Sequence, residues 1–517
     1  MQSNERLAVI DLGSNSFRLV VFSAADGWWQ RTDEIYQAVR IGEGMAATGR
    51  LGEEPMSRAL ATLDVFGHFC QAAGLAAPSA REAIDALATS AIRDAENAAA
   101  FLKRARARTS LPIRVLSREQ EAWYGYIAAV NSTTMREGCV LDLGGGSMQL
   151  VRVKDRLAQE SGSWRLGAVR MTERFLPNGG PAKRRQLQEL REHVAGELAS
   201  ARWLTKAGRR MVGIGGTVRS LAAVAQRAEG LPSNGVQGAI VTLEALEEIV
   251  ERLAALPTAE RANVPGIKPA RADLILAGAV VVQGALQAGG FEELEATEAG
   301  LREGVFFERH LSLGDPAHLR EPPLFEDVRK ASVENLAARY NVDQAHTRHV
   351  AALALGMFDQ LARLRLHAGE ERERELLWAA CMLHDIGMSV AYDDHHKHSR
   401  YLILNAGLPG FSPTEVAIVA QAARYHRKGM PEPGPLQALF GEGDAARLDR
   451  CAVLLRLAED LERPRDQLVR DTVLSARNGE VQLQLVAEGA AAVPRWAAGR
   501  ESELFARAFH RDLAVVA

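Results

Sequence analysis

The sequence predicts an α/β protein whose C-terminal part is mostly helical. One observation is a repeated unit, in which an apolar strand ending in aspartate, a polar glycine loop and a second apolar strand follow one another. This unit occurs around Asp11 and again around Asp142. Helix-patterned stretches and further glycine loops alternate with strands up to about residue 304, as in α/β domains. Beyond a proline-marked linker, the apolar spacing is almost entirely helical.

The elements are predicted in chain order from apolar periodicity and turn residues. The two copies of the repeated unit read as β-hairpins, with strands expected at 7–10, 17–22, 139–141 and 148–153. Helices of the α/β part are expected at 120–130, 186–203 and 243–256. The linker is marked by Pro316, Pro322 and Pro323. Helices beyond it are expected at 328–340, 349–363, 373–382, 413–425 and 445–462, followed by a strand at 480–486.

The composition is that of an ordinary globular protein. Of 517 residues, 47% are hydrophobic and 25% are charged, which excludes a disordered, collagenous or low-complexity chain. The formal net charge of −3 gives no argument for nucleic acid or membrane as a partner. Arginine greatly outnumbers lysine among the 62 basic residues. A guanidinium suits phosphate oxygens, but we attribute most of this excess to codon bias in a GC-rich genome.

Cysteine usage and the N-terminal residues bear on location. The four cysteines lie far apart and form no CxxC pair, so neither a disulfide framework nor a zinc ribbon is indicated. This pattern is typical of a reducing cytoplasm. The first residues do not read as a signal peptide, and no apolar stretch approaches the roughly 18 residues that span a bilayer. We therefore expect a cytoplasmic protein, at most peripheral to the membrane, with no nucleic-acid partner.

The glycine loops predict a site for phosphate groups. Glycine lets the backbone approach a ligand closely, and successive N–H groups form a nest for an anion. Three such loops follow predicted strands, at 13–16, 144–147 and 213–217, and a fourth polar segment lies at 298–304. Asp11 and Asp142 stand at the ends of their strands, directly before the loops. Carboxylates in that position suit Mg²⁺, which prefers oxygen ligands.

These segments together resemble a known family. The chain contains VIDLGSNSFRLVV, TSAIRD, LSREQEA, VLDLGGGSMQLV, IGGT and EAGLREGV in this order, and then LHDIG, HKHSRYLILN and YHRKG. The combination resembles the exopolyphosphatase/guanosine pentaphosphate phosphohydrolase (Ppx/GppA) family, which belongs to the actin, sugar-kinase and Hsp70 superfamily. The resemblance implies two actin-like (ribonuclease H-like) domains at 1–123 and 124–306. It further implies an HD-like helical domain at 323–475 and a small C-terminal α+β domain at 476–517.

The resemblance also implies site residues. The family's catalytic base matches Glu121, and hydrolysis of a phosphoanhydride independently calls for a carboxylate that takes a proton from water. Glu119 is the neighbour most easily confused with Glu121, and a glutamate stabilised by the helix dipole suits Glu119 well. The metal ligands carried over are Asp11, Asp142 and Glu298. The phosphate-binding residues carried over are Gly13, Ser14, Asn15, Arg93, Gly144, Gly145, Gly146, Ser147, Gly215, Gly216 and Thr217.

One position departs from the family pattern. The family often has a metal-binding glutamate two residues after the serine of the second loop, and this chain has Gln149 there. An amide oxygen can still contact a metal-bound water, although the negative charge is missing. The resemblance implies Mg²⁺ as cofactor, with a monovalent cation such as K⁺ as a further candidate.

The C-terminal part is rich in histidine. Helical His and Asp at long spacing are the pattern of HD-type metal phosphohydrolases, and the ligands expected here are His349, His384, Asp385 and His426. Glu459 falls where HD domains place their last aspartate. A binding platform without metal and a second active site are both open, and we favour the platform. Two basic clusters are expected to form a track for a long phosphate chain, through Lys397, His398, Arg400, Arg424, Arg427 and Lys428.

The function that the resemblance implies is an exopolyphosphatase, which releases orthophosphate from the end of inorganic polyphosphate. The nearest alternative is removal of the terminal phosphate of pppGpp, since both reactions use the same site chemistry. An alternative of another class is a non-catalytic phosphate or nucleotide sensor on the same fold. The expected partners are polyphosphate, (p)ppGpp and a second copy of the chain in a homodimer.

Overall fold

The computed structural model of the chain describes residues 5–25, 27–76, 83–232, 234–312, 322–477 and 479–516. Pro316 of the predicted linker lies outside these residues. The chain divides into two compact units, Met1–Val328 and Arg329–Ala517. In the described residues, no helix is both long enough and apolar enough to cross a membrane.

The first part of unit 1 is a five-stranded sheet with its helices. The sheet has the strand order β3-β2-β1-β4-β5. In chain order the elements are β1 (Glu5–Leu12), β2 (Phe17–Ala25), β3 (Trp28–Gln37), α1 (Met45–Thr48), α2 (Glu53–Ala72), β4 (Ile84–Ala88), α3 (Ser90–Asp94), α4 (Ala98–Arg108) and β5 (Ile113–Val115).

The second part of unit 1 is a six-stranded sheet with the order β10-β11-β9-β6-β7-β8. In chain order the elements are α5 (Arg118–Val130), β6 (Gly138–Leu143), β7 (Met148–Lys154), β8 (Leu157–Trp164), α6 (Ala168–Phe175), α7 (Arg184–Leu198), β9 (Met211–Ile214), α8 (Gly216–Ala228), β10 (Ala239–Thr242), α9 (Leu243–Ala255), α10 (Thr258–Arg261), α11 (Ile275–Gly289), β11 (Glu293–Ala296) and α12 (Leu301–Ser312).

The repeated hairpin is confirmed, and both copies have the same register. In β1 and β2, Asp11 lies opposite Arg18, and in β6 and β7, Asp142 lies opposite Gln149. Each loop is closed by a backbone hydrogen bond from its first glycine to its last serine, at 3.2 Å and 3.0 Å. A parallel strand follows on the other side of each first strand, β4 beside β1 and β9 beside β6. Both sheets therefore have the duplicated topology expected of actin-like domains, and they bring their loops to the strand ends.

Helix α5 connects the two sheets and begins at a well-defined cap. The Ser117 hydroxyl accepts a hydrogen bond from the Gln120 backbone at 3.2 Å, and the Gln120 side chain accepts one from the Ser117 backbone at 3.0 Å. From Tyr124 onward the helix is buried, and it packs against α12. This cap fixes where the first turn of α5 begins, and the first turn carries Glu121.

Unit 2 is mostly helical, as expected, and ends in a three-stranded sheet of order β12-β13-β14. Apolar side chains of the sheet, such as Val469 and Leu483, lie in the same core as those of the helices. The domain boundary expected after residue 475 falls within β12. In chain order the elements are α13 (Val328–Arg339), α14 (Gln344–Arg363), α15 (Glu371–Leu383), α16 (His395–Ala406), α17 (Pro413–Tyr425), α18 (Asp444–Leu461), β12 (Val469–Arg477), β13 (Glu480–Ala487), α19 (Ala492–Ala498), α20 (Ser502–Phe509) and β14 (Asp512–Val516).

Candidate active site

The glycine loops of unit 1 converge on one cavity of about 150 Å³, here called the loop cavity. The first two loops touch, because a Cβ added to Gly146 of the second loop would come within 2.8 Å of the Ser14 hydroxyl in the first. Only glycine permits this approach. Ser14 also shares a hydrogen bond at 3.1 Å with Ser90 of α3. Of the residues predicted as site residues, those that line the cavity are Asp11, Gly13, Ser14, Asn15, Glu121, Asp142, Gly144, Gly145, Ser147, Gly215, Gly216 and Thr217.

Glu121 presents a buried carboxyl group to this cavity. Its side chain is 8% exposed, and Oε2 accepts hydrogen bonds from Arg93 at 2.5 Å and from Gln149 at 3.3 Å. Burial raises the pKa of Glu121 to about 7, with the charges of Asp142 and Asp11 adding to the rise and Arg93 opposing it. A carboxylate with a pKa near neutrality can accept a proton from water at physiological pH.

Asp11 and Asp142 lie at equivalent ends of β1 and β6. Burial raises the pKa of both side chains, and for Asp142, with the Asp11 charge adding to it, the value is about 6. Arg302 lies 3.5 Å from Asp11 and opposes the rise at both carboxyls. Two half-buried carboxylates that repel each other are stabilised by a cation between them. Oxygen donors of this kind fit Mg²⁺.

Three residues that were predicted to contact metal or phosphate, Gly146, Glu298 and Arg93, are not part of the lining of the loop cavity. Glu298 lies outside the lining of the loop cavity, and its Oε1 accepts a hydrogen bond from the Val236 backbone at 3.0 Å. Arg93 also lies outside that lining. Its Nη1 donates to Glu121 and, at 3.0 Å, to the carbonyl of Leu116. Arg93 therefore fixes the position of the Glu121 carboxylate without itself lining the loop cavity.

Four arginines around the loop cavity were not predicted from the sequence. Burial lowers the pKa of Arg219 to about 10, and the nearby charges of Arg302 and Arg271 add to this effect. Burial and the charge of Arg302 also lower the pKa of Arg18. Guanidinium groups that repel one another in a buried site are stabilised by a polyanion. The arginines that line the cavity are Arg18, Arg219, Arg271 and Arg302.

These four arginines also line an adjoining cavity of about 550 Å³, here called the arginine cavity. Arg31 and Lys268 add two further cations to its lining, against two acidic residues, Glu34 and Glu298. The space beside the loop cavity is therefore cationic. One signal could have revealed part of this set, because Arg18 takes the position in the first hairpin that Gln149 takes in the second.

Three of the four predicted HD-site residues lie together in unit 2, and the fourth, His349, does not. His384, Asp385 and His426 lie in one buried cluster, joined by His346 and His395. His349 lies elsewhere, with Nε2 at 2.8 Å from the carbonyl of Val469. His346 precedes His349 by one turn of α14 and faces the core, so the sequence placed the histidine on the wrong turn. Glu459 lies 3.0 Å from His346 and belongs to the cluster.

The two predicted basic clusters meet on neighbouring helices. Lys397, His398 and Arg400 lie on α16, and Arg424 lies near the end of α17. Arg400 donates to Gln421 of α17 at 2.7 Å, and burial together with the charge of Arg424 lowers the pKa of Arg400. The six predicted residues are here called the basic patch: Lys397, His398, Arg400, Arg424, Arg427 and Lys428.

Comparison with known proteins agrees with this geometry. Residues 20–313 match the model of the Ppx/GppA phosphatase family, and residues 328–491 match the model of Ppx/GppA phosphatase, domain III. The crystal structure of the Aquifex aeolicus member of the Ppx/GppA family is 29% identical. It aligns with a TM-score of 0.51 over 60% of this chain and 100% of its own.

Two further solved structures are similar. An exopolyphosphatase-like protein is 26% identical and aligns with a TM-score of 0.52 over 59% of this chain and 98% of its own. An exopolyphosphatase from Cytophaga hutchinsonii is 21% identical and aligns with a TM-score of 0.54 over 59% of this chain and 97% of its own. At that identity the third structure supports the fold alone.

Proposed function

This chain belongs to the Ppx/GppA phosphatase family, and we propose that it is an exopolyphosphatase that hydrolyses the terminal phosphoanhydride of inorganic polyphosphate with Mg²⁺ as cofactor. One observation carries the proposal. A carboxyl group with a pKa of about 7 faces a cavity walled by three glycine loops, and this cavity adjoins a second one that is rich in arginine.

Glu121 acts as the general base. Its carboxylate takes a proton from the water that attacks the terminal phosphorus. The bridging P–O bond to the next phosphate breaks, the shortened polyphosphate chain departs as the leaving group, and the terminal phosphorus is released as orthophosphate. Arg93 and Gln149 fix the carboxylate through hydrogen bonds to Oε2, and Oε1, to which no described residue donates a hydrogen bond, meets the water. Glu119 is exposed two residues earlier and does not line the loop cavity.

The glycine loops and the arginines bind different parts of the substrate. Backbone N–H groups of the glycine loops hold the terminal phosphate groups in the loop cavity. Asp11 and Asp142 would hold Mg²⁺, which would supply positive charge to neutralise those groups. Arg18, Arg219, Arg271 and Arg302 hold the phosphates that follow, toward the arginine cavity. Six cations against two acidic residues in that cavity suit a chain of phosphates better than a single nucleoside.

The experiment measures orthophosphate release by the full-length protein from long-chain polyphosphate and from pppGpp in parallel, with Mg²⁺ present. We expect a kcat/KM for polyphosphate at least about tenfold above that for pppGpp, a difference of about 1.4 kcal/mol in transition-state binding. A preference for pppGpp would replace this proposal with the guanosine pentaphosphate phosphohydrolase. Release from neither substrate would leave a non-catalytic sensor.

Arg271→Ala tests whether the arginine cavity binds the phosphates that follow the terminal ones. Arg271 lines both cavities, so its loss weakens contact with phosphates beyond the terminal ones. We expect KM for long polyphosphate to rise at least about fivefold, since a charge-assisted contact contributes on the order of 1 kcal/mol. Arg209→Ala is the matched control, because Arg209 is exposed, pairs only loosely with Glu292 at 3.4 Å and lines neither cavity. Equal KM values for both variants would contradict the assignment of the arginine cavity.

A further inference from the structure

The buried histidine cluster of unit 2 is independent of the loop cavity and takes no part in the proposed reaction. It gathers side chains from five helices: His346 from α14, His384 and Asp385 from the end of α15, His395 from α16, His426 from the end of α17 and Glu459 from α18. The four histidines and Asp385 are each at most 5% exposed. Five buried and one half-buried ligand-type side chains in one place call for a physical explanation.

The hydrogen bonds of three histidines fix which ring nitrogen carries the proton. His384 Nδ1 lies 2.7 Å from the carbonyl of Cys381, His395 Nδ1 lies 2.9 Å from that of Tyr392, and His426 Nδ1 lies 2.7 Å from that of Ala423. A carbonyl oxygen only accepts, so each Nδ1 must donate. The Nε2 atom of each neutral ring then presents a lone pair to the cluster. This is the arrangement by which backbone carbonyls orient histidine ligands of metals.

These lone pairs face one another without a proton donor between them. His395 Nε2 lies 3.1 Å from His426 Nε2, and the two atoms lie 3.2 Å and 3.8 Å from Asp385 Oδ1. Among the described residues, His384 Nε2 has no hydrogen-bond partner although its side chain is fully buried. Adjacent lone pairs and a carboxylate in a buried site repel unless a cation lies between them.

The spacing of the ligand atoms fits two cations. On one side, Glu459 Oε2 lies 3.0 Å from His346 Nε2 and 3.3 Å from His384 Nε2. On the other side are the His395 and His426 atoms, and Asp385 lies within 4.8 Å of the ligand atoms of both groups. Ligands about 2.0–2.1 Å from one ion lie about 3.0–3.4 Å apart, which agrees with the short separations in both groups.

We propose that unit 2 holds a second metal centre, with two divalent transition-metal ions bridged by the carboxylate of Asp385. His346, His384 and Glu459 bind one ion, and His395 and His426 bind the other. Four imidazoles and two carboxylates suit manganese, iron, cobalt or zinc better than Mg²⁺, which prefers oxygen alone. Asp385 Oδ2 also accepts from Arg465 at 2.6 Å, which is compatible with bridging because each carboxylate oxygen has two lone-pair sites.

The chemical class of the ligand follows from the cavity beside the centre. This cavity, about 190 Å³ in volume, is lined by Asp385, His395, His426 and Glu459 together with Arg427, Arg463 and Arg465. Asp460 pairs with Arg463 at 2.8 Å, and Arg465 is engaged by Asp385. Arg427 lies 3.5 Å from His395 and pairs with no acidic side chain among the described residues, so it is the cation available to a ligand. A phosphate group that meets two metal ions and an arginine is well matched to this arrangement. The centre therefore takes a phosphate-bearing ligand.

The test counts metal bound by the full-length protein. Protein stripped with a chelator is loaded with Co²⁺ in buffer that contains Mg²⁺, which competes at the oxygen ligands of unit 1, and free metal is then removed by desalting. Wild-type protein is expected to retain two Co²⁺ per chain, with the visible absorption of imidazole-bound cobalt. Asp385→Asn is expected to retain none, and the double variant His395→Ala, His426→Ala is expected to retain one. Retention of fewer than two ions by wild type overturns the proposal.

His349→Ala is the matched control, because His349 lies one turn from His346 on α14 but outside the cluster. It is expected to retain two ions, and a loss equal to that of Asp385→Asn would overturn the assignment. Folding is checked by thermal unfolding of the metal-free proteins. Co²⁺ is expected to raise the melting temperature of wild type and not that of Asp385→Asn, since an ion stabilises only a fold that binds it. A rise of the same size in both proteins would also overturn the proposal.

Inorganic phosphate tests the ligand class. Phosphate added to the cobalt-loaded protein is expected to change the visible spectrum, and Arg427→Ala is expected to weaken this binding at least about fivefold, the scale of one charge-assisted contact. An unchanged spectrum overturns the assignment of a phosphate-bearing ligand. Polyphosphate hydrolysis by Asp385→Asn is expected to stay at the wild-type level. A loss of that activity together with the cobalt would show that the centre is not independent of the reaction in unit 1.

Discussion

The environment of Glu121 combines burial, two neighbouring carboxylates and a single opposing arginine. Because burial and the charges of Asp142 and Asp11 raise its pKa to about 7, the carboxyl is protonated below that pH and cannot accept a proton from water. The wild-type kcat/KM for polyphosphate is therefore expected to fall as the pH drops through about 7. The measurement is a pH profile of kcat/KM at saturating Mg²⁺.

Gln149→Glu separates this ionisation from that of the substrate. The amide of Gln149 donates to Glu121, and a carboxylate in its place would repel it. The acidic limb of the profile is expected to move to higher pH, whereas substrate ionisation alone would leave it in place. If kcat/KM of wild type does not change with pH between about 6 and 8, the ionisation of Glu121 does not control the rate in that range.

Asp142→Asn is expected to raise the Mg²⁺ concentration needed for half-maximal activity at least about tenfold, because a half-buried negative ligand is lost. The measurement is a Mg²⁺ titration of phosphate release. Asp155→Asn is the control, since Asp155 is an exposed residue of the turn between β7 and β8 with positive φ, which asparagine tolerates. An unchanged titration for Asp142→Asn would make Asp142 a residue that shapes the loop only.

Some side chains of the candidate site could be predicted from the sequence and others could not. Asp11, Asp142 and Glu121 could be predicted because strand ends and motif letters identify them. Arg219 and Arg271 could not, because only the tertiary fold selects them from an arginine-rich chain. The confusion of His349 with His346 has a similar cause, since residues one turn apart share a helix pattern and only packing shows which one faces the core.

At the scale of elements, the third glycine loop depends on a backbone conformation that glycine alone adopts. Gly215 has φ 106° and ψ 168°, and a Cβ there would come within 2.5 Å of the carbonyl of Leu143. Gly215→Ala is expected to destabilise unit 1 by about 1–3 kcal/mol and to lower kcat/KM by displacing the loop. The measurements are denaturant unfolding and phosphate release.

Gly196→Ala is the control for Gly215→Ala. Gly196 lies within α7 on its exposed face, and no heavy atom of the described residues lies within 4 Å of an added Cβ. Alanine there is expected to stabilise the protein by about 0.5–1 kcal/mol, because it favours the helix. A neutral effect of both substitutions would mean that the third loop tolerates a side chain.

Four of the strands that were not predicted from the sequence share a physical feature. Strands β3 and β8 lie at sheet edges and are largely exposed, so they lack the apolar run that predicts a buried strand. Strands β12 and β14 are half-exposed and form a sheet only through pairing that is distant in sequence. The hairpins were predictable because both of their faces are buried and their loops carry glycine.

At the scale of the whole molecule, the two compact units carry different chemistry. Unit 1 contains the loop cavity and the arginine cavity, and unit 2 contains the histidine cluster and the basic patch. We propose that the basic patch holds a long polyphosphate chain while its end is hydrolysed, since a second set of contacts gains from a high effective concentration. The sequence predicted both basic clusters, but only the packing of α16 against α17 joins them.

Lys397→Ala combined with Lys428→Ala tests the basic patch. KM is expected to rise at least about threefold for long polyphosphate and to stay unchanged for tripolyphosphate, and affinity should become less dependent on salt as screened contacts are lost. The control is Lys103→Ala combined with Lys154→Ala, which removes the same charge from exposed positions of unit 1. Equal effects of the two double variants would show that the lysines of the basic patch act only through the net charge of the protein.

The central claim is that Glu121 removes a proton from the water that releases orthophosphate from polyphosphate. The most direct test compares Glu121→Gln with Glu119→Gln, two variants of the same helix turn, by orthophosphate release from long-chain polyphosphate at saturating Mg²⁺. Glu121→Gln is predicted to lower kcat at least about a hundredfold while the protein still binds polyphosphate, and Glu119→Gln is predicted to stay near wild type. Turnover of Glu121→Gln near that of wild type would contradict the account.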